Sequence, residues 1–170
     1  MLDMSGIERS LVVFKPDAIS RAFIGEIMSR FERAGLKIVG AKMVAPNRDF
    51  FYHHYETIGK MISRRGEKVF NWTLEYVQKT PVLALVLEGP SAVQVVRKMA
   101  GTTEPFSAQP WTIRGDYSHV NFWYADGAQI AIMNLLHASG DSEEAAQEVA
   151  HWFKPEELFD YDRVDHVFMY

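Results

Sequence analysis

A histidine closes the apolar run Ile130 to Leu136 in the stretch NLLHASGDSEEAAQEVAHWF, Asn134 to Phe153. Small residues follow, then Asp141, then a helical pattern. His137 therefore stands between a strand end and a helix start, where free backbone N–H groups favour an anion. A neutral imidazole, with an ordinary pKa of about 6.5, is a nucleophile near neutral pH. A phosphoryl group accepted on its nitrogen would sit near the helix start. The same local pattern also suits a core histidine with satisfied hydrogen bonds. Glu148, inside the following helix, can bind the second ring nitrogen and fix the tautomer. Taken alone it reads more readily as a solvated helix glutamate. Lys15 closes an early strand, Arg97 lies near a helix C-terminus, and Arg114 sits in WTIRGD, with the Thr103 hydroxyl in the same long loop. Such cations can neutralise the oxygens of a phosphoryl group in transit, and each also reads as a surface charge.

Other chemistries find little support. The 170 residues include no cysteine, which excludes disulfides, thiolate nucleophiles and cysteine-ligated metals. No G-x-x-x-x-G-K-[ST] motif is present, and GEIMSRFERAG is not a dinucleotide fingerprint. Adjacent His53 and His54 are poorly spaced to share a metal, so no protein-built metal site is expected. HASGDS holds His, Ser and Asp, but a triad is a matter of geometry rather than of sequence proximity.

The elements that must place these residues follow from periodicity. SLVVF is a β-branched and aromatic strand stopped by Pro16. Phe23, Ile24, Ile27, Met28 and Phe31 fall at helical spacing before Gly35. Leu36 to Val44 alternates as a second strand. Asn47 or Asp49 caps a short helix, SRRGEK forms a charged loop, and VFNWTLEYVQK is amphipathic. The run Val82 to Leu87 reads as a central strand covered on both sides. Pro90 opens a helix that ends at Gly101. The long loop TTEPFSAQPWTIRGDYSH follows, of a length usually reserved for function. VNFWY, ADG and AQIAIMNLL predict a hairpin turning at Asp126-Gly127. Asp141 with Glu144 opens the last helix. The order β-α-β-α-α-β-α-β-α predicts an α/β protein of the α+β sandwich type. Its core is a ferredoxin-like four-stranded antiparallel sheet with helices on one face, plus an inserted β-hairpin.

One domain spanning 1–170 is expected from the length and the 48% hydrophobic content. The net charge of −4 implies no broad basic face, so nucleic acid is not an expected partner. No run approaches the roughly 18 apolar residues of a membrane span, and MLDMSGIERS does not read as a signal peptide. With no cysteines, a cytoplasmic location is expected.

Taken together, the motifs resemble the nucleoside diphosphate kinase family. FKPDAISRAFIGEIMSRFERAGLKIVGAKMV, His54-Tyr55, PVLALVLEG, VVRKMAGTTEP, TIRGDYS and NLLHASGDSEEAAQEVAHWFKPEELFDY occur in the family's order, across about Arg9 to Tyr161. The resemblance implies a γ-phosphate transfer from a nucleoside triphosphate to a nucleoside diphosphate, by ping-pong through a phosphohistidine. It also implies Mg2+ bound through the nucleotide phosphates and a homo-oligomer, hexamer or tetramer. By position, His137 would carry the phosphate, Glu148 would orient it, and Ser139 would lie near both. Lys15 would reach the phosphates and the sugar 3′-hydroxyl, with Tyr55 beside it. Arg97, Thr103 and Arg114 would hold phosphates, and Asn134 a ribose hydroxyl.

The sequence departs from the family at four places. The usual base-clamp positions hold Val69 and Thr73, with Phe70 one residue away as the candidate replacement. The loop Ile58–Lys68 is longer than usual, and the expected hairpin His119–Met133 is inserted. Gly140 takes an aspartate position, with Asp141 one residue later. These departures leave open a nucleotide-binding regulatory module with weak turnover. A single-stranded nucleic-acid binder on the same sheet is disfavoured by the acidic balance.

Overall fold

The computed structural model describes residues 6–169, so the first five residues of MLDMSGIERS, and both ends of the expected 1–170 domain, lie outside the described residues. Four strands form one sheet: β1 Ile7–Phe14, β2 Lys37–Val44, β3 Val82–Pro90 and β4 Leu136–Ala138. Their order is β2-β3-β1-β4, and every neighbouring pair is antiparallel. This is the expected ferredoxin-like α+β arrangement.

The side-chain alternation of β1 explains how the sheet is covered. Leu11 and Val13 point into one core, while Val12 and Phe14 point into another. In β3, Val82, Ala84 and Val86 join the first core, whereas Leu85 and Leu87 join the second. The sheet is thus buried on both faces, which corrects the expectation of helices on one face. An unbroken apolar strand with no polar alternation requires such double cover. The first core is closed by α3 Arg48–Tyr52, α5 Glu67–Val77 and α9 Ser142–Trp152, through Phe51, Leu74 and Trp152. The second is closed by α1 Pro16–Ser20, α2 Ile24–Arg33, α6 Ala92–Ala100 and α7 Ile113–Tyr117, through Ala18, Phe31, Val96 and Ile113.

Between α3 and α4 (Met61–Arg65) the chain widens into a π-helical turn, His53–Ile58, which buries His54 and Tyr55. Such turns often sit at functional sites. The inserted β-hairpin does not form. Asn121 accepts a hydrogen bond from the Tyr124 N–H at 2.8 Å and caps a helix, α8, Phe122–Gly127. Residues 130–134, apolar except for Asn134, run irregularly, so β4 is only three residues long and ends beyond His137. A last short helix, α10, spans His166–Met169. No helix among the described residues is long and apolar enough to cross a membrane.

Candidate active site

His137 lies on β4 opposite Val13 of β1, at the edge of the sheet. Its Nε2 meets the Glu148 Oε1 at 2.7 Å. A carboxylate only accepts, so Nε2 carries the proton and Nδ1 keeps its lone pair. Glu148 is fully buried on α9, and its other oxygen accepts from the Ser139 hydroxyl at 2.6 Å. Ser139 in turn accepts the Leu11 N–H at 3.0 Å. The chain of bonds runs from the strand backbone through Ser139 and Glu148 to the ring, and fixes its orientation and tautomer. Asp141 starts α9 by accepting from the Glu144 N–H at 2.8 Å, one residue after Gly140.

The cations converge on the same cleft, about 290 Å³ in volume, which Lys15, Arg97, Thr103, Arg114, Tyr55, Asn134 and His137 all line. Lys15 Nζ donates to Asn134 Oδ1 at 2.8 Å, and Asn134 Nδ2 donates to the Thr103 carbonyl at 2.7 Å. Burial pushes the Lys15 ammonium down to about 8; the positive charge of Arg114 adds to this and Asp17 opposes it. Arg114 donates to the carbonyls of Gly101, Asn134 and Leu136 at 2.8, 3.1 and 2.7 Å. Three of its five donors are thereby committed to holding the loop on β4, and two remain for a ligand. Burial, then Arg97, lowers the guanidinium to about 10. The Arg97 side chain reaches the Ser139 carbonyl at 3.5 Å from α6. Tyr55 is held protonated by burial and by the nearby Glu148 charge.

Phe70 is not in this cleft. It is 3% exposed, packs in the first core, and meets the Tyr52 ring edge-on at 5.4 Å. The expected replacement of the base clamp is corrected on that ground. On a helix, residues four apart share a face, and it is Val69 and Thr73 of α5 that line the cleft. α8 and the irregular run after it add Phe122, Ala125 and Ile130 to Ile132 to the lining. Arg65 of α4 places its guanidinium 3.7 Å from the Phe122 ring centroid, and both side chains line the cleft.

Sequence reasoning also missed His54. It is 1% exposed, accepts the Trp152 indole N–H on Nδ1 at 3.2 Å, and stands edge-on to His137 with ring centroids 4.5 Å apart. Burial and the neighbouring His137 hold it well below the ordinary histidine range, so it stays neutral. Ligand atoms of His54, His137 and Glu148 lie within 4.8 Å of one another. Hydrogen bonds already occupy His54 Nδ1, His137 Nε2 and both carboxylate oxygens, so a cation there would have to break them.

Residues 8–158 match the sequence profile of the family described as nucleoside diphosphate kinase. The nucleoside diphosphate kinase of Pyrococcus horikoshii is 49% identical over 162 residues, 94% of either chain. That of Pyrococcus furiosus is 47% identical, over 93% of this chain and 90% of the relative. Among solved structures, a transition-state mimic of the Borrelia burgdorferi nucleoside-diphosphate kinase with bound vanadate and ADP superposes with a TM-score of 0.92 at 38% identity. The match covers 95% of this chain and 96% of that one. A Halobacterium salinarum nucleoside diphosphate kinase in complex with CDP gives 0.81 at 33% identity, over 96% and 98% of the two chains.

Proposed function

The chain belongs to the nucleoside diphosphate kinase family, and on that basis we propose that it moves the γ-phosphate of a nucleoside triphosphate to a nucleoside diphosphate through a phosphohistidine at His137. The observation that carries this is the 2.7 Å bond from His137 Nε2 to a buried carboxylate, which leaves Nδ1 as the nucleophile in a cleft lined by Lys15, Arg97 and Arg114. In the first half-reaction Nδ1 attacks the γ-phosphorus. The N–P bond forms, the bond to the bridging oxygen breaks, and the diphosphate leaves with that electron pair. In the second half-reaction the terminal oxygen of another diphosphate takes the group back, and the N–P bond breaks.

The transition state is loose and spreads charge over the transferred oxygens. Lys15, the two uncommitted donors of Arg114, and Arg97 stabilise that charge, and the Thr103 hydroxyl adds a donor. Glu148 stabilises the imidazolium character that grows on His137, and Ser139 holds Glu148. Asn134 and Lys15, already bonded to each other at 2.8 Å, receive the ribose hydroxyls. Tyr55 completes the wall beside His137, at 6.2 Å between ring centroids.

The donor set suits a magnesium ion that arrives on the nucleotide. The phosphate end is cationic, and both oxygens of the buried Glu148 are occupied. Held by phosphate oxygens and water, Mg2+ would neutralise part of the phosphate charge. The same reading takes the chain as a single domain over 1–170, cytoplasmic, and working as a homo-oligomer, tetramer or hexamer, without nucleic acid or membrane as a partner. The net charge of −4 and the absence of cysteine support it.

The test is phosphorylation by γ-labelled ATP followed by a chase with unlabelled GDP, UDP or CDP. Acid-labile label on the wild type, released to acceptor and absent from a folded His137→Ala variant, is the expected result. Label retained by His137→Ala overturns the nucleophile. The displacement of Phe70 from the cleft favours, as a second reading, a regulatory module; ATP binding without label would select it.

A further inference from the structure

Two residues before His137 the backbone passes through a conformation that side chains with a Cβ resist. Leu135 has φ +71°, and the Leu136 N–H closes on the Asn134 carbonyl at 2.8 Å. This is the strained, positive-φ form of the γ-turn, built on a leucine that is fully buried. Such a conformation persists only where its surroundings over-determine it.

Arg114 holds the carbonyls at the two ends of the turn, Asn134 and Leu136, at 3.1 and 2.7 Å, and the junction between β1 and α1 grips its central residue. The Leu135 N–H donates to Asp17 Oδ2 at 3.0 Å, and the Leu135 carbonyl accepts the Lys15 N–H at 2.8 Å. Both peptide groups of the strained residue are therefore gripped from residues 15 to 17. Asp17 is 7% exposed, and its second oxygen accepts the Tyr76 hydroxyl at 2.5 Å. That hydroxyl accepts the Asp17 N–H at 2.9 Å in return. The carboxylate is thus itself held by α5, with its free oxygen aimed at the turn. On either side of Leu135 stand the two residues that must face the nucleotide: Asn134, bonded to Lys15, and, two positions on, His137.

We propose that Asp17 is a positioning residue for phosphoryl transfer: its carboxylate holds the γ-turn at Leu135 in the conformation that presents Asn134 and His137 to the nucleotide. The proposal rests on the roles given above to Asn134 and His137. Asp17 touches neither substrate nor the reacting atoms. It acts through the Leu135 N–H, and a small rotation of that peptide would move the ring and the amide together. Misplacement of reacting groups by about 1 Å costs about a hundredfold in rate.

Three variants separate this role from a plain contribution to folding. Asp17→Asn keeps an oxygen for the Leu135 N–H, and its NH2 can donate to the Tyr76 oxygen. Its kcat is expected within about threefold of wild type. Asp17→Ala removes the acceptor, and its kcat and single-turnover phosphohistidine rate are expected to fall about 10- to 100-fold. Tyr76→Phe removes the support but leaves the carboxylate on Leu135. It is expected to lower the melting temperature and to cost severalfold less kcat than Asp17→Ala, because the carboxylate still reaches the Leu135 N–H. If Asp17→Ala does not fold, Asp17→Thr, similar in volume and too short to reach the amide, takes its place.

Wild-type kcat in Asp17→Ala or Asp17→Thr overturns the proposal. So does a loss in Tyr76→Phe as large as in Asp17→Ala, because activity would then follow stability. A loss in Asp17→Asn equal to that in Asp17→Ala overturns it too, assigning the effect to the charge beside Lys15. Wild-type labelling of His137 is run alongside. Its absence removes the nucleophile and with it this role, whereas its presence beside an unaffected Asp17→Ala removes the Asp17 role alone.

Discussion

Lys15 gives the sharpest link between charge burial and function. Its ammonium is held at about 8 against an ordinary 10.5, chiefly because the cleft desolvates it. At 1.36 kcal/mol per pKa unit, keeping it charged at pH 7 costs the empty protein about 3 kcal/mol. Lys15→Met removes the charge and keeps the stem. It also deprives Asn134 Oδ1 of its donor, a loss of about 1–2 kcal/mol. The net expectation is a variant more stable by about 1–2 kcal/mol, or about 2–8 °C in melting temperature for a domain of this size.

The pH dependence has a definite sign. The folded pKa lies below the unfolded one, so the folded state gives up its proton first. Below about 8 both states are protonated and the penalty is complete. Between about 8 and about 10.5 the unfolded chain binds more protons, and wild-type stability rises relative to the variant. Scanning calorimetry of the nucleotide-free proteins at pH 7 and pH 10 measures both effects. Saturating ADP should reverse the ranking, because the charge then has its phosphate. The variant should lose about 10²–10³ in kcat. A Lys15→Met protein that melts at or below wild type at pH 7, or a gap that does not shrink at pH 10, refutes the reasoning.

Three further outcomes are expected. The kcat/KM of the free enzyme should decline as pH rises through about 8, where Lys15 loses its proton, and a profile flat to pH 10 would remove Lys15 from phosphate binding. Glu148→Gln offers one accepting oxygen where two donors, His137 and Ser139, now point, so rapid-quench phosphohistidine formation should fall about 10- to 100-fold and urea-derived stability by about 1–3 kcal/mol. Arg65→Ala, which opens the clasp on Phe122, should raise the nucleotide KM about 2- to 10-fold with kcat nearly unchanged in steady-state assays, and a fall in kcat alone would contradict a binding role.

What the sequence disclosed was set by how local each signal is. The sheet could be read because β1 and β3 each carry an unbroken apolar run, Leu11–Phe14 and Val82–Leu87, and the proposed nucleophile because NLLHAS and TIRGD lie close to what they build. The region 121–133 misled because Asp126-Gly127 between apolar segments imitates a hairpin turn, while the Asn121 cap, which decides for a helix, is a single side-chain bond. Phe70 misled because a one-residue offset on a helix turns a side chain about 100° away, here from the cleft into the core. His54 and Asp17 were out of reach for a different reason. Their partners Trp152, His137, Tyr76 and Leu135 are distant in the chain, and no periodicity records such meetings.

The clamp on His137 has a consequence for how the protein treats nucleotides as a population. In the mechanism proposed for His137, Nε2 is committed to Glu148 and one nitrogen in one cleft meets both donor and acceptor. The phosphorylated protein therefore keeps no memory of the base that delivered the group. Any preference built into the walls by Arg65, Phe122, Val69 and Thr73 applies equally to giving and to taking. Such a site cannot push phosphate from one base towards another. It lets the tri- to diphosphate ratios of all bases drift to a common value, and the fraction of His137 carrying phosphate becomes a gauge of that shared ratio.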